Sequence, residues 1–138
     1  MLVTKRVEFS ASHVCRNPLL SDRENAELFG AAANPHGHGH NYVIDVTVEG
    51  DPDPVTGMVL DLKKLKEVVN REVIQTYDHR FLNHEVPPFD HVVPTVENIA
   101  IDIWHRLEPH ISKVGGQLQG IRVYETADLI VDYFGEAA

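Results

Sequence analysis

Apolar and polar residues alternate along the start of the chain, with Val3, Lys5, Val7, Phe9, Ala11 and His13 on one parity. Alternation at period two marks a half-buried strand. It predicts a strand over 3–13 and puts His13 on the face of Phe9 and Ala11. The same alternation returns over Tyr42–Glu49 and predicts a second strand. Between them, residues 14–35 carry Pro18, Ser21, Asp22, Gly30 and Pro35. That stretch predicts a long loop with a helical turn at 22–29, and long loops in compact domains tend to be functional. Asp51-Pro52-Asp53-Pro54-Val55-Thr56-Gly57 is dense turn chemistry. Met58-Val59-Leu60 after it predicts a short third strand, paired back as a hairpin.

The period then changes. Leu62, Leu65, Val69 and Val73, with Val68 alongside, make a helical stripe behind Asp61, which reads as an N-cap. This helix is expected to end near Tyr77, and Pro87-Pro88 breaks the segment that follows. Thr95 caps a second helix whose buried face is Val96, Ile99, Ala100, Ile103 and Leu107. Pro109 and Gly115-Gly116 are expected to close it. Residues 118–125 and 128–134 predict two last strands joined at Thr126-Ala127. With no βαβ alternation, the expected class is α+β: an antiparallel sheet with two helices on one face. A sheet of about four strands has two exposed edges, and closing them against other copies into a β-barrel removes that liability. A homo-oligomer is expected on that ground.

Bulk properties narrow the class. At 138 residues the chain is expected to be one domain, 1–138. Its 43% hydrophobic and 24% charged residues are those of a globular protein rather than a disordered one. No apolar run approaches a membrane span, and Met1–Arg6 lacks the apolar core of a signal peptide. The lone Cys15 cannot form an internal disulfide, which fits a cytoplasmic location. Net charge is −9 with no basic block, so neither nucleic acid nor a membrane is an expected partner.

The densest chemistry is Asn34-Pro35-His36-Gly37-His38-Gly39-His40-Asn41-Tyr42. Imidazoles at i and i+2 of a strand share a face roughly 6.6 Å apart, close enough to converge on one ion. A pair at i and i+4 stands roughly 13 Å apart, too far on a straight strand. The segment therefore supplies two ligands, and a third must come from elsewhere. Three protein ligands with one open position describe a catalytic zinc site. His13, at a strand end, is the candidate third ligand; the plainer role is a satisfied core or surface histidine. Asp78-His79 follows the first helix and is either a carboxylate-oriented acid–base pair or a histidine favoured by a helix C-terminus. Glu125, in Tyr124-Glu125-Thr126, can accept two parallel N–H donors from a flat 2-amino-4-oxo-pyrimidine edge, or is a solvated strand-end residue. Glu97 reads first as a complement to the dipole of the second helix.

Taken together, these pieces resemble the 6-pyruvoyl-tetrahydropterin synthase family, which includes the 6-carboxy-tetrahydropterin synthases. The resemblance rests on Phe9-Ser10-Ala11-Ser12-His13, the His-Gly-His run to Tyr42, Asp53–Val59, Asp78-His79, Thr95-x-Glu97-Asn98 and Tyr124-Glu125-Thr126. It covers nearly the whole chain, in order. It implies the tunnelling fold, trimers that form a β-barrel and pair into a hexamer. It implies Zn2+ on His13, His38 and His40, leaving His36 out. It implies Asp78 and His79 as a proton relay, Glu125 as anchor of the pterin ring, and Thr95 and Glu97 beside that ring. The implied substrate is 7,8-dihydroneopterin triphosphate. The implied activity is a carbon–oxygen or carbon–carbon lyase. Loss of triphosphate leads to the pyruvoyl product of tetrahydrobiopterin synthesis. Chain cleavage leads to the carboxy product of 7-deazapurine (queuosine) synthesis.

One position departs from the pattern. The family's cysteine, expected two residues after Gly30, is Ala32. Alanine neither takes a proton nor attacks, and losing a general base costs about 10²–10⁴ in rate. Three explanations fit. The alanine was introduced to trap a ligand. Or His79, a zinc hydroxide or Cys15 does the work in a natural paralogue. Or the chain is a non-catalytic pterin- and zinc-binding homologue.

Overall fold

A computed structural model describes residues 1–136; the last two positions of the expected domain lie outside that range. Alternation along the chain produces the long strands. β1 (Leu2–His13) pairs antiparallel with β2 (His38–Glu49), and β2 pairs antiparallel with β4 (Gln117–Thr126). β4 pairs in turn with β5 (Leu129–Tyr133). A two-residue strand, β3 (Arg80–Phe81), runs parallel to the other edge of β1. The sheet order is β3-β1-β2-β4-β5.

One face of the sheet is core. Phe9, Ala11, Tyr42, Ile44, Val46, Val48, Ile121 and Val123 are buried there in one cluster with residues from both long helical segments. The first is α2 (Leu62–Val69), prolonged through a π-helical stretch (Asn70–Ile74) and a last turn (Gln75–Tyr77). It contributes Leu65, Val68, Val69 and Val73. The second, α3 (Val96–Lys113), contributes Ile99, Ile103, Leu107 and Ile111. Asp61 and Thr95 cap these helices as expected, their side chains accepting from Lys63 N–H and Asn98 N–H. The chain is thus α+β, with both helical stripes on one sheet face.

The opposite face carries paired charge. Arg6 makes two hydrogen bonds to Asp45, at 2.8 and 3.0 Å, and Arg122 makes two to Asp132, at 2.7 and 3.0 Å. The Arg6 guanidinium holds the Asp45 carboxyl below its ordinary range.

Four expectations need correction. Met58–Leu60 forms no strand. β1 and β4 already occupy both edges of β2. The segment instead closes on its own turn, where Asp53 N–H donates to the Met58 carbonyl at 2.9 Å. Pro109 does not end α3, which runs on to Lys113. Ile111, fully buried, holds that last turn in the core. The turn expected at 22–29 is a whole helix, α1 (Asp22–Phe29), fixed by a Ser21–Glu24 capping box. The sheet is not purely antiparallel, because β3 joins β1 in parallel.

Candidate metal and ligand site

Three imidazoles meet at one end of the core face. β1 and β2 pair so that His13 lies directly opposite His38, and Ala11 opposite His40. Strand alternation then puts all three rings on the helix side. The two intervening glycines serve different needs. Gly37 takes φ 76°, a left-handed turn into β2. Gly39 sits so close to β1 that a Cβ there would fall 3.0 Å from the Ala11 carbonyl oxygen.

The nitrogen atoms are oriented for a cation. His13 is fully buried, and its Nδ1 donates to the Pro94 carbonyl at 2.7 Å. Its lone pair is therefore on Nε2, which lies 3.0 Å from His38 Nε2. Two lone pairs that close repel, so the gap holds a shared proton or a cation. Tetrahedral zinc with bonds of about 2.05 Å puts its ligand nitrogens roughly 3.3 Å apart, close to this spacing. His40 Nε2 is buried and makes no hydrogen bond. Burial holds His13 down at about 4, with His38 and His40 adding to the shift. Burial also lowers His40. Neutral imidazole is the form that binds a metal. The donor set thus fits a divalent zinc-type ion.

Glu125 joins this group. The ligand atoms of His13, His38, His40 and Glu125 all lie within 4.8 Å of one another. Glu125 Oε1 is 3.1 Å from His40 Nε2, but the pair lacks hydrogen-bond alignment, since that nitrogen remains unpartnered. A β-bulge delivers the carboxylate. Tyr124 pairs with Ile130 and Thr126 with Leu129, which leaves Glu125 as the extra residue on β4. Bulges beside sites commonly re-aim a side chain in this way.

The remaining candidates fall into two sets. Thr95 and Glu97 open α3, immediately after the Pro94 carbonyl that orients His13. Ala32 lies in a 3₁₀ turn (Gly30–Ala33), and its carbonyl accepts Cys15 N–H at 2.9 Å. Cys15 therefore stands beside the position where the resemblance calls for a cysteine. Burial, with Glu125 and Glu97 nearby, pushes its thiol up to about 11, so it is not a thiolate at neutral pH. His36 is exposed in the turn before β2 and stays outside the cluster.

Asp78 and His79 form the second set. His79 Nδ1 lies 3.0 Å from Asp78 Oδ2. The pair is fastened to Ser10: Ser10 N–H donates to Asp78 Oδ1 at 3.0 Å, and His79 N–H donates to the Ser10 carbonyl at 2.6 Å. The Ser10 bond lowers Asp78 below its usual range, with His79 adding to it. His79 takes φ 61°, a left-handed conformation uncommon for a side-chain-bearing residue. Its ring is 82% exposed. It faces a cavity of about 490 Å³ lined also by Ser10, Ser12, Asn41 and Glu85. His40 lines the same cavity, but within one chain Asp78 and His79 are not among the side chains that cluster with the imidazoles.

The sequence did not single out Ser10, Pro94 or the Tyr42 hydroxyl. Each acts through a backbone group or a cross-strand neighbour, which no local pattern encodes. Tyr42 is fully buried, its ring 5.5 Å from that of His40, and its hydroxyl has no partner.

Known proteins match this chain along its length. The family model for 6-pyruvoyl tetrahydropterin synthase matches residues 2–136. The human 6-pyruvoyl tetrahydrobiopterin synthase is 47% identical over 134 residues, covering 97% of this chain and 91% of the relative. The structure of Caenorhabditis elegans 6-pyruvoyl tetrahydropterin synthase superposes with a TM-score of 0.92 at 40% identity, covering 99% of this chain and 96% of that one. A 6-carboxy-5,6,7,8-tetrahydropterin synthase from Rickettsia felis is 23% identical over 146 residues, covering 94% of this chain and 96% of the relative.

Proposed function

Because the chain belongs to the 6-pyruvoyl tetrahydropterin synthase family, we propose that it is a zinc-dependent lyase acting on 7,8-dihydroneopterin triphosphate. The observation that carries the reading is the convergence of His13, His38 and His40, with the Nε2 atoms of His13 and His38 3.0 Å apart and the buried Nε2 of His40 unpartnered. These three hold the ion. Zinc there supplies positive charge that acidifies nearby hydroxyls and stabilises developing negative charge. Glu125 accepts the N–H donors of the pterin edge, with Thr95 and Glu97 flanking it. Asp78 orients His79, which shuttles the side-chain protons. The ring is reduced at the expense of its own side chain, so no redox cofactor enters. Relatives at 40% identity and above carry the pyruvoyl name, which supports that product over the carboxy one.

The exposed His79 supports an assembly. In a hexamer of two trimers with sheet edges paired, an outward-facing relay is available to a neighbouring copy. Mixing His38→Ala and His79→Ala chains tests this, since complementation restores activity only if the two groups work across copies. The whole reading is tested by incubating the zinc-loaded protein with 7,8-dihydroneopterin triphosphate and identifying the product. Loss of turnover on chelation and recovery with zinc are expected.

Ala32 favours a second reading, a pterin- and zinc-binding homologue without catalysis. Tight pterin binding with no turnover, and no gain from Ala32→Cys, would select it.

A further inference from the structure

Tyr42 presents a problem of satisfaction. It is fully exposed to neither water nor a partner: its residue is 0% exposed and its hydroxyl makes no hydrogen bond. A buried donor left unmatched is costly, and such groups are rare enough to need a reason. The ring has no freedom to find one. It stacks on Phe9 at 5.2 Å and meets the edges of His40 at 5.5 Å and His13 at 6.2 Å.

Its neighbour across the sheet is Glu125. Val43 pairs with Tyr124, so Tyr42 and Glu125 each lie one residue beyond that pair. Both face the core side, as Ile44 and Val123 do one pair further back. Glu125 also has a claim on it unmet elsewhere. Its carboxylate lies 3.1 Å from His40 Nε2 without hydrogen-bond alignment. Once that nitrogen gives its lone pair to a metal, the carboxylate either joins the metal or turns away. Among the described residues, the unpartnered buried donor across the strand pair from it is the Tyr42 hydroxyl.

We propose that Tyr42 is a positioning residue for Glu125: its hydroxyl donates to one carboxylate oxygen and holds Glu125 off the metal, facing the ligand. The bulge that makes Glu125 the extra residue of β4 gives the carboxylate the freedom to take this second position. A phenol–carboxylate bond is charge-assisted and stronger than a neutral one. It leaves the other carboxylate oxygen for N–H donors on the ligand. The inference rests on the pterin-anchoring reading of Glu125 and deepens it, by naming what keeps that anchor from becoming a fourth metal ligand.

The test is a double-mutant cycle read by calorimetry, with 7,8-dihydroneopterin as probe and zinc-loaded protein. Tyr42→Phe is expected to weaken binding about 10- to 100-fold, from the worth of a hydrogen bond to a charged group. In a Glu125→Gln background, Tyr42→Phe should add less than about threefold. In cobalt-substituted protein, Tyr42→Phe should alter the visible d–d bands as the freed carboxylate joins the metal. Glu125→Ala should restore the wild-type spectrum in that background. Thermal stability of the metal-free Tyr42→Phe protein should not fall, because the hydroxyl there bonds nothing. Equal losses in both backgrounds, or wild-type affinity and spectrum in Tyr42→Phe, overturn the proposal while leaving Glu125 as anchor. If Glu125→Gln itself leaves pterin affinity unchanged, the anchoring reading fails and this proposal with it.

Discussion

The two faces of the sheet are built from the same strands and behave in opposite ways. On the open face, Arg6, Asp45, Arg122 and Asp132 satisfy one another, each guanidinium meeting a carboxylate through two bonds. On the core face, at one end, three imidazoles and a phenol are packed together with polar atoms left over. Alternation at period two sends neighbouring residues to these different fates: Arg6 and Asp45 outward, Tyr42 and His40 inward. A face that completes its own bonds is structural ornament for stability. A face that leaves buried donors and lone pairs unmatched is prepared for something that is not protein.

The largest effect expected from that contrast is on metal content. His38→Ala combined with His40→Ala should reduce bound zinc from about one per chain to none by elemental analysis, while His36→Ala leaves it intact. Metal that survives the double variant but leaves with His36→Ala would break the assignment of the core face.

Next comes the missing base. If the proposed ligands, relay and anchor act as read, Ala32→Cys should raise turnover of 7,8-dihydroneopterin triphosphate by about 10²-fold or more. Cys15→Ala should leave the rate unchanged, because that thiol is held at about 11 by burial. An active parent chain that gains nothing from the new thiol would move the base to His79 or to zinc-bound hydroxide.

Acid sharpens the comparison at smaller scale. In chelated protein His13 sits at about 4, against 6.5 for a free imidazole. Between those values the unfolded chain binds a proton that the folded chain refuses. Stability should therefore fall by about 2 kcal/mol from pH 7 to pH 5, by about 1 kcal/mol more to pH 4, and level off below that. Urea titrations across that range check it, and His13→Asn should flatten the slope. The smallest effect belongs to the open face. Arg6→Ala should lower stability less than any change above, since its side chain is 63% exposed and the pair is screened by solvent, and should leave bound zinc untouched. A loss in urea titrations as large as that expected from acid would mean these pairs do more than neutralise themselves.

Much of this was legible in residue order. Val7, Phe9, Ala11 and His13 share a parity, and that parity alone placed His13 on the core face. Asp61 and Thr95 announced their helices because capping chemistry is local. The failures share a cause. Met58–Leu60 looks like a strand, but whether it can pair depends on which edges of β2 are free, and β4 arrives from nearly sixty residues later. Pro109 looks like a helix end, but Ile111 in the core outweighs the lost bond. Glu125 carried a site signal, whereas its approach to His40 depends on a bulge set by the turn to β5. Ser10 and Pro94 work through backbone atoms, so their side-chain identities say nothing of it.

The bond from Cys15 N–H to the Ala32 carbonyl closes the neck of the excursion between β1 and β2. His13 and His38 lie outside that neck, one on each strand, and their spacing is set by the β1–β2 register. Everything from Arg16 to Ala31 is therefore a cassette hung from a fixed frame. Doubling the length of such a closed loop costs only about 0.6 kcal/mol. Insertions there should leave the imidazole spacing unchanged, because the strand pair outside the neck sets it, and the segment offers a place to vary the chain without altering that centre.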